Sequence, residues 1–253
     1  MNTPLGNAPS NASSEEAGTQ KLTNRVATVP RLSSAPARLG PEDPAWRNAV
    51  RLAVDQFRPE GSDHRPRTTL QLLHDGEAIH GLFRVEDRYV RCVHDTYGAP
   101  VYQDSCVEFF LQPKPGCGYF NFEFNCGGAF LCNHITDETR FQGTFKEFTK
   151  LSAEDVRSVR VATSRPGLTE PEIAGPVAWW LTFTIPVAVV EKFVGPVGTL
   201  AGQVWRGNAY KCGSDTSHPH WAAWAPVDAL NFHLPRCFGE LRFAPVEEAP
   251  HWY

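Results

Sequence analysis

The chain has 253 residues and a mass of 28.1 kDa, enough for one large domain or two small ones with a proper core. Its 24 basic and 28 acidic side chains leave a net charge of −4, which argues against an electrostatic nucleic-acid binder, and the lack of a long apolar run excludes a membrane-spanning helix. The only methionine is Met1, so a haem or copper site that needs an internal methionine ligand is excluded as well.

Residues 1–37, rich in Asn, Ser, Pro, Ala and Glu, are expected to form a flexible tail. No apolar leader is present in them, which predicts a cytoplasmic location, or secretion if a leader precedes the sequence given. Asn11-Ala12-Ser13 fits a glycosylation sequon and is read as chance on the same ground. One folded domain is expected over 38–247 and a short C-terminal tail over 248–253.

The composition changes at Asp43-Pro44-Ala45-Trp46, where Pro44 suits the start of a short helical turn with Trp46 and Ala49 facing inward. Residues 68–74 and 78–85 alternate around Asp75-Gly76, a strong hairpin signal. A further strand is expected over 89–94. Strands over 106–111 and 119–125 flank a Pro/Gly break, and Gly127-Gly128 turns the chain into another over 129–134. More strands are expected over 158–163, 179–185, 204–211 and 238–243, with one short helix over 186–193. The aromatic share of 11%, together with 21 Pro and 20 Gly, fits many strands joined by tight turns. The predicted fold is therefore all-β: a single immunoglobulin-like or jelly-roll-like antiparallel β-sandwich with few short helices. Seven cysteines without a CxxC pair read as free buried thiols, with room for one incidental bridge.

The stretch over 119–125 is the most informative. Strand alternation puts Phe120, Phe122 and Phe124 on one face, with Tyr119, Asn121, Glu123 and Asn125 on the other. Pairing it with 106–111 in an antiparallel hairpin must match Val107, Phe109 and Leu111 to the phenylalanine face. The register that does so sets Val107 opposite Phe124 and Glu108 opposite Glu123. Like charges directly opposite are destabilising, so either both extend into water or something offsets them. A cation, a shared proton or a hydroxyl-rich ligand would serve. Sugars suit such a face: hydroxyls donate and accept, and their C–H faces pack on aromatic rings such as Tyr97, Tyr102, Trp221, Trp224 and Phe232. Alternation over 204–212 puts Arg206 and Asn208 on one face, and Arg206 would offset the acids if that face were shared. Lys211 points inward or to an edge. His218-Pro-His220 spaces two histidines as some metal sites do, but without a third ligand it reads as a surface loop, and no metal site is assigned.

The run Val101-Tyr-Gln-Asp-Ser-Cys-Val-Glu-Phe-Phe resembles the aromatic-x-Gln-Asp-Ser-Val-Glu-Ile-Phe stretch of family 9 carbohydrate-binding modules. Trp224-Ala-Pro and the segment over 231–243 resemble that family's closing Trp-x-Pro and Phe-Gly-x-Leu motifs. The resemblance spans roughly residues 40 to 245 and is closest to the family 9-like bacterial branch. It implies a β-sandwich that holds a mono- or oligosaccharide between two loop aromatics, in carbohydrate catabolism. Tyr102 falls at the first aromatic position and Phe232 at the second, where the family usually has tryptophan. Glu108, Asn121 and Glu123 fall at or near the polar contacts, with Arg206 and Asn208 as neighbours. The resemblance implies no cofactor beyond a structural calcium, whose ligands do not map onto particular residues, and no nucleic-acid or membrane partner. Oligomeric state is not read from it. Two other readings stay open. Glu108 and Glu123 could act as the acid and the base or nucleophile of a glycosidase, a pair that in retaining enzymes lies about 5–5.5 Å apart. Alternatively, the loss of both family tryptophans fits a structural or interaction sandwich with a decayed sugar site.

Overall fold

The computed structural model describes residues 25–33 and 39–246. The tail readings for 1–24, 34–38 and 247–253, and the sequon at Asn11, lie outside the described residues. In chain order the strands are β1 (Val26–Val29), β2 (Val50–Ala53), β3 (Gln56–Phe57), β4 (Arg67–His74), β5 (Ala78–Asp87), β6 (Val90–Cys92), β7 (Cys106–Gln112) and β8 (Tyr119–Asn125). They continue with β9 (Phe130–Phe141), β10 (Thr144–Lys150), β11 (Arg160–Thr163), β12 (Thr169–Ile173), β13 (Val177–Pro186), β14 (Val204–Cys212), β15 (Trp221–Ala223) and β16 (Gly239–Phe243). One helix, α1 (Val187–Val194), and three 3-10 turns complete the described residues. No helix among them is long and apolar enough to cross a membrane.

Two sheets form the sandwich. The larger runs β1-β16-β14-β7-β8-β9-β10, with β15 and β3 added beside β14. The smaller runs β11-β13-β5-β4-β2, and β12 pairs with β6 separately. The core between the sheets is aromatic. Phe109 and Phe124 of the larger sheet each meet Phe183 of the smaller at a ring distance of 5.4 Å. Phe183 lies across Gly81 on the neighbouring strand, where any β-carbon would overlap its ring, so that position requires glycine. The fold is the expected all-β sandwich.

Local chemistry explains the elements. Asp43 accepts a hydrogen bond from the Ala45 amide at 2.9 Å and starts the turn Pro44–Asn48, which buries Trp46. At the β4–β5 hairpin Gly76 has φ +101°, and Asp75 accepts the amides of Glu77 and Ala78.

Three features differ from expectation. Val26–Val29, assigned to the tail, is a strand, because Ala27 and Val29 are buried against the sandwich. It pairs parallel with β16, so the larger sheet is not wholly antiparallel. The strand expected to stop at His134 continues to Phe141 and returns as β10 through Gln142-Gly143, both at positive φ.

Candidate functional site

The β7–β8 register sets Val107 opposite Phe124 and Glu108 opposite Glu123, as alternation requires. The adjoining pairs extend the face: Glu123 opposes Leu131, Asn121 opposes Asn133, and Glu108 opposes Tyr210. This is the outer face of the larger sheet, away from the phenylalanine core. It is nevertheless not an open surface. Glu108 is 3% exposed, Glu123 4% and Asn121 1%. The reading in which both acids extend into water is therefore overturned. The chain folds over this face in three places: the turn Val101–Gln103, the β9–β10 hairpin, and the loops either side of β15.

Between these covers lies a cavity of about 830 Å³. Its floor carries Glu108, Asn121 and Glu123, and its walls include Tyr97, Tyr102, Phe145, Phe148, Trp221 and Phe232. Arg140, Asn133, Ser214, Asn231 and His233 add polar groups. Apolar walls with a few convergent polar groups are the usual composition of a small-ligand site.

The floor is held in place by its own hydrogen bonds. Asn121 donates from Nδ2 to Glu123 Oε1 at 2.7 Å, and its Oδ1 accepts the Asn133 amide at 2.7 Å. These two bonds fix the amide's orientation and aim Glu123. Burial pushes the Glu123 carboxyl up, the Asn121 amide and the Arg140 charge pull it back, and it settles at about 7. Burial, then the neighbouring Cys212 and Glu123, push Glu108 well above the carboxylate range. Burial thus favours the protonated forms of the two opposed acids.

A carboxyl with a raised folded-state pKa binds more protons folded than unfolded, so its contribution to stability falls as pH rises from about 4.5 to about 7. His220 and His233, held neutral by burial with pKa values of about 3, act in the opposite direction over part of this range. The difference between two chains isolates the Glu123 effect. Glu123→Gln should match wild type near pH 4.5 and become more stable than it by about 3 kcal/mol near pH 7. Urea denaturation across that range tests this, and a difference that does not change with pH would contradict the placement of Glu123.

The two aromatics sit at the cavity. Tyr102 is 43% exposed at its mouth. The Phe232 ring stacks on Tyr210 at 4.0 Å and 12°, and Tyr210 donates to the Phe232 carbonyl. Trp221 lines the wall, whereas Trp224 is buried in the inter-sheet core. The Gln-Asp-Ser run has a positioning role. Asp104, fully buried, accepts the amides of Val93 and His94 and the side chain of Asn125, and so anchors the turn that presents Tyr102.

Arg206 and Asn208 share the sheet face of Glu108, but neither lines the cavity. Arg206 donates to the Phe238 and Arg236 carbonyls. Asn208, fully buried, donates to the Ala225 carbonyl and accepts the Ala209 and Ala225 amides. The segment after Trp224 lies over them, which alternation within β14 could not show. The cavity is instead lined by two other cations, Lys150 and Arg140, the latter stacked over Phe145 at 4.2 Å. The hairpin that brings Arg140 there turns at Gln142-Gly143, with an irregular register in β10 that no period-two pattern signals.

Among the described residues no metal-ligand cluster includes His218 or His220, and the surface-loop reading fails at His220, whose side chain is enclosed. His220 is buried and accepts from Lys211 Nζ at 2.8 Å, and His218 stacks on Tyr89 at 3.5 Å. All seven cysteines are unpaired thiols.

A β-sandwich that closes loops over the outer face of one sheet, around a polar floor with aromatic walls, is a ligand-binding module in its architecture. The chain belongs to carbohydrate-binding family 9, whose model matches residues 45–243. No curated protein matches it. Among solved structures, a Bacteroides uniformis protein provisionally designated carbohydrate-binding is 27% identical, with a TM-score of 0.77 over 87% of this chain and 100% of that one. A family 9 module from Caldicellulosiruptor kristjanssonii in complex with glucose is 13% identical, with a TM-score of 0.59 over 90% and 100%. The complex with cellotriose is 14% identical, with a TM-score of 0.58 over 87% and 94%. The last two likenesses are of fold.

Proposed function

We propose that this chain is a non-catalytic module that holds a mono- or oligosaccharide in the cavity above Glu108 and Glu123. The observation that carries this reading is the floor: two buried carboxyls and an oriented amide, facing a cavity with aromatic walls. A carboxyl that is neutral donates and accepts, and one that is ionised accepts twice, so either state of Glu123 can pair with vicinal hydroxyls. Tyr102 and Phe232 offer ring surface to the C–H faces of a pyranose. Pockets for small ligands run from about 300 to 1,000 Å³, so this one has room for one or a few sugar rings. The glucose and cellotriose complexes of the related fold suit a gluco-configured ligand, and a role in carbohydrate catabolism is part of the same proposal.

One observation favours a second reading. Glu108 and Glu123 are directly opposed and burial pushes both carboxyls up, and a facing pair of carboxyls is also the arrangement of a glycosidase acid and nucleophile. Family membership favours binding. A glycan array probed with the full chain, alongside incubation with aryl glycosides, separates the two. Retention of a defined set of glycans without turnover is expected. Turnover abolished by Glu108→Ala would establish the glycosidase instead, and retention of no glycan would leave an interaction sandwich.

A further inference from the structure

Cys106 and Cys212 stand directly opposite each other on β7 and β14, and Glu108 follows two residues after Cys106 on the same face. The two Sγ atoms and a Glu108 carboxylate oxygen all lie within 4.8 Å of one another. Cys212 Sγ is 3.2 Å from Glu108 Oε1. All three side chains are buried, Cys106 completely. Cys212 and Glu108 line the cavity, and Cys106 stands beside them beneath its floor.

This is an unusual neighbourhood for a carboxyl. Among the described residues the only hydrogen bond to the Glu108 side chain comes from the Cys212 thiol, and a thiol is a weak donor. The Cys106 thiol has two weak partners, the adjacent Val107 carbonyl at 3.7 Å and the Cys212 thiol. Three acidic groups are packed together with no strong partner. A tetrahedral zinc ion with sulfur at about 2.3 Å and oxygen at about 2.0–2.2 Å places its ligand atoms roughly 3.5–3.8 Å apart, inside the 4.8 Å that bounds the three atoms here. Two thiols and one carboxyl form a borderline-soft donor set, which suits zinc rather than calcium, whose ligands are all oxygen.

We propose that Cys106, Cys212 and Glu108 form a site for a borderline-soft divalent cation such as zinc at the floor of the cavity, with the fourth coordination position open to the cavity. Binding releases the protons of the ligands, because thiolate and carboxylate are the ligating forms. A monodentate Glu108 leaves its second oxygen for a cavity ligand, so metal and saccharide can be held together. The site stands or falls separately from saccharide binding, because the metal alone is the probe.

The full chain, reduced with a non-thiol reductant and stripped by a chelator, should take up one zinc ion per molecule. Cobalt in its place should give sulfur-to-metal charge-transfer absorption and the intense visible bands of a tetrahedral site. Glu108→Gln, which preserves volume and leaves both thiols, should weaken zinc binding by more than about tenfold, since even changes beyond the ligand shell cost about that much. Cys212→Ser should weaken it further and remove charge-transfer intensity, while Cys117→Ser, in the loop before β8, should leave both unchanged. Circular dichroism on each variant confirms that it is folded. A stripped wild-type chain that takes up no zinc, or a cobalt spectrum without the sulfur band, overturns the site. So does loss of the band in Cys117→Ser alone.

Discussion

Phe122→Ala is expected to lower folding stability by about 3–5 kcal/mol, the cost of emptying a buried aromatic position. Phe122 is fully buried in the middle of β8, with Phe120 and Phe124 flanking it at ring distances of 6.4 Å. It stands opposite Phe109 on β7 and Cys132 on β9. The inter-sheet core is already filled from the facing sheet by Phe83 and Phe183, and a strand in the centre of a sheet cannot move inward to close the space. The effect reaches the site as well, since the same strand carries Asn121 and Glu123 outward. A change in the urea midpoint equivalent to less than about 1 kcal/mol would mean that the faces of β8 are assigned the wrong way round.

Lys211→Ala is expected to cost a similar amount, about 3–5 kcal/mol, for an electrostatic reason. Lys211 is fully buried on the core side of β14, 3.4 Å from Asp87 Oδ2, and donates to the Cys212 carbonyl and to His220. Burial alone would push the Asp87 carboxyl up. The Lys211 charge, the His64 hydrogen bond at 2.8 Å and the Arg88 amide reverse this and hold it well below the ordinary carboxylate range. Truncating the lysine leaves that carboxylate buried without its cation. Replacing both partners should cost less than the sum of the single changes, because neither charge is then left alone. Denaturation of Lys211→Ala, Asp87→Asn and the double variant reads this coupling. Additive losses would show that the two side chains do not act as a pair.

Much of this architecture could be read from alternation and turns. The Asp75-Gly76 hairpin, the β7–β8 register and the polar face opposite the phenylalanines follow from period two and from the cost of turning Glu108 into an aromatic core. What escaped depends on contacts distant in sequence. β1 is four residues inside a polar stretch, and only its pairing with β16 makes it a strand. Arg206 and Asn208 have the correct face, but the return of the chain at Ala225 and Phe238 covers them. The burial of Glu108 and Glu123 is of the same kind. A strand pattern shows which side chains share a face, not which loop closes over it. Arg140 escaped as well, since Gln-Gly is not one of the Asn-Gly, Asp-Gly or Gly-Gly pairs that mark a two-residue turn, and the spacing of Phe145 and Phe148 breaks alternation in β10.

In the proposed saccharide cavity Glu123 is the central hydrogen-bonding group. Titration calorimetry of a saccharide retained on the glycan array, into wild type and Glu123→Gln at a pH well above the Glu123 value of about 7, where its carboxyl is ionised, tests this most directly. Hydrogen bonds to a charged group contribute about 1.5–3 kcal/mol, so the variant should bind roughly 10- to 150-fold more weakly while unfolding as cooperatively as wild type. Equal affinity for the two chains would contradict the account.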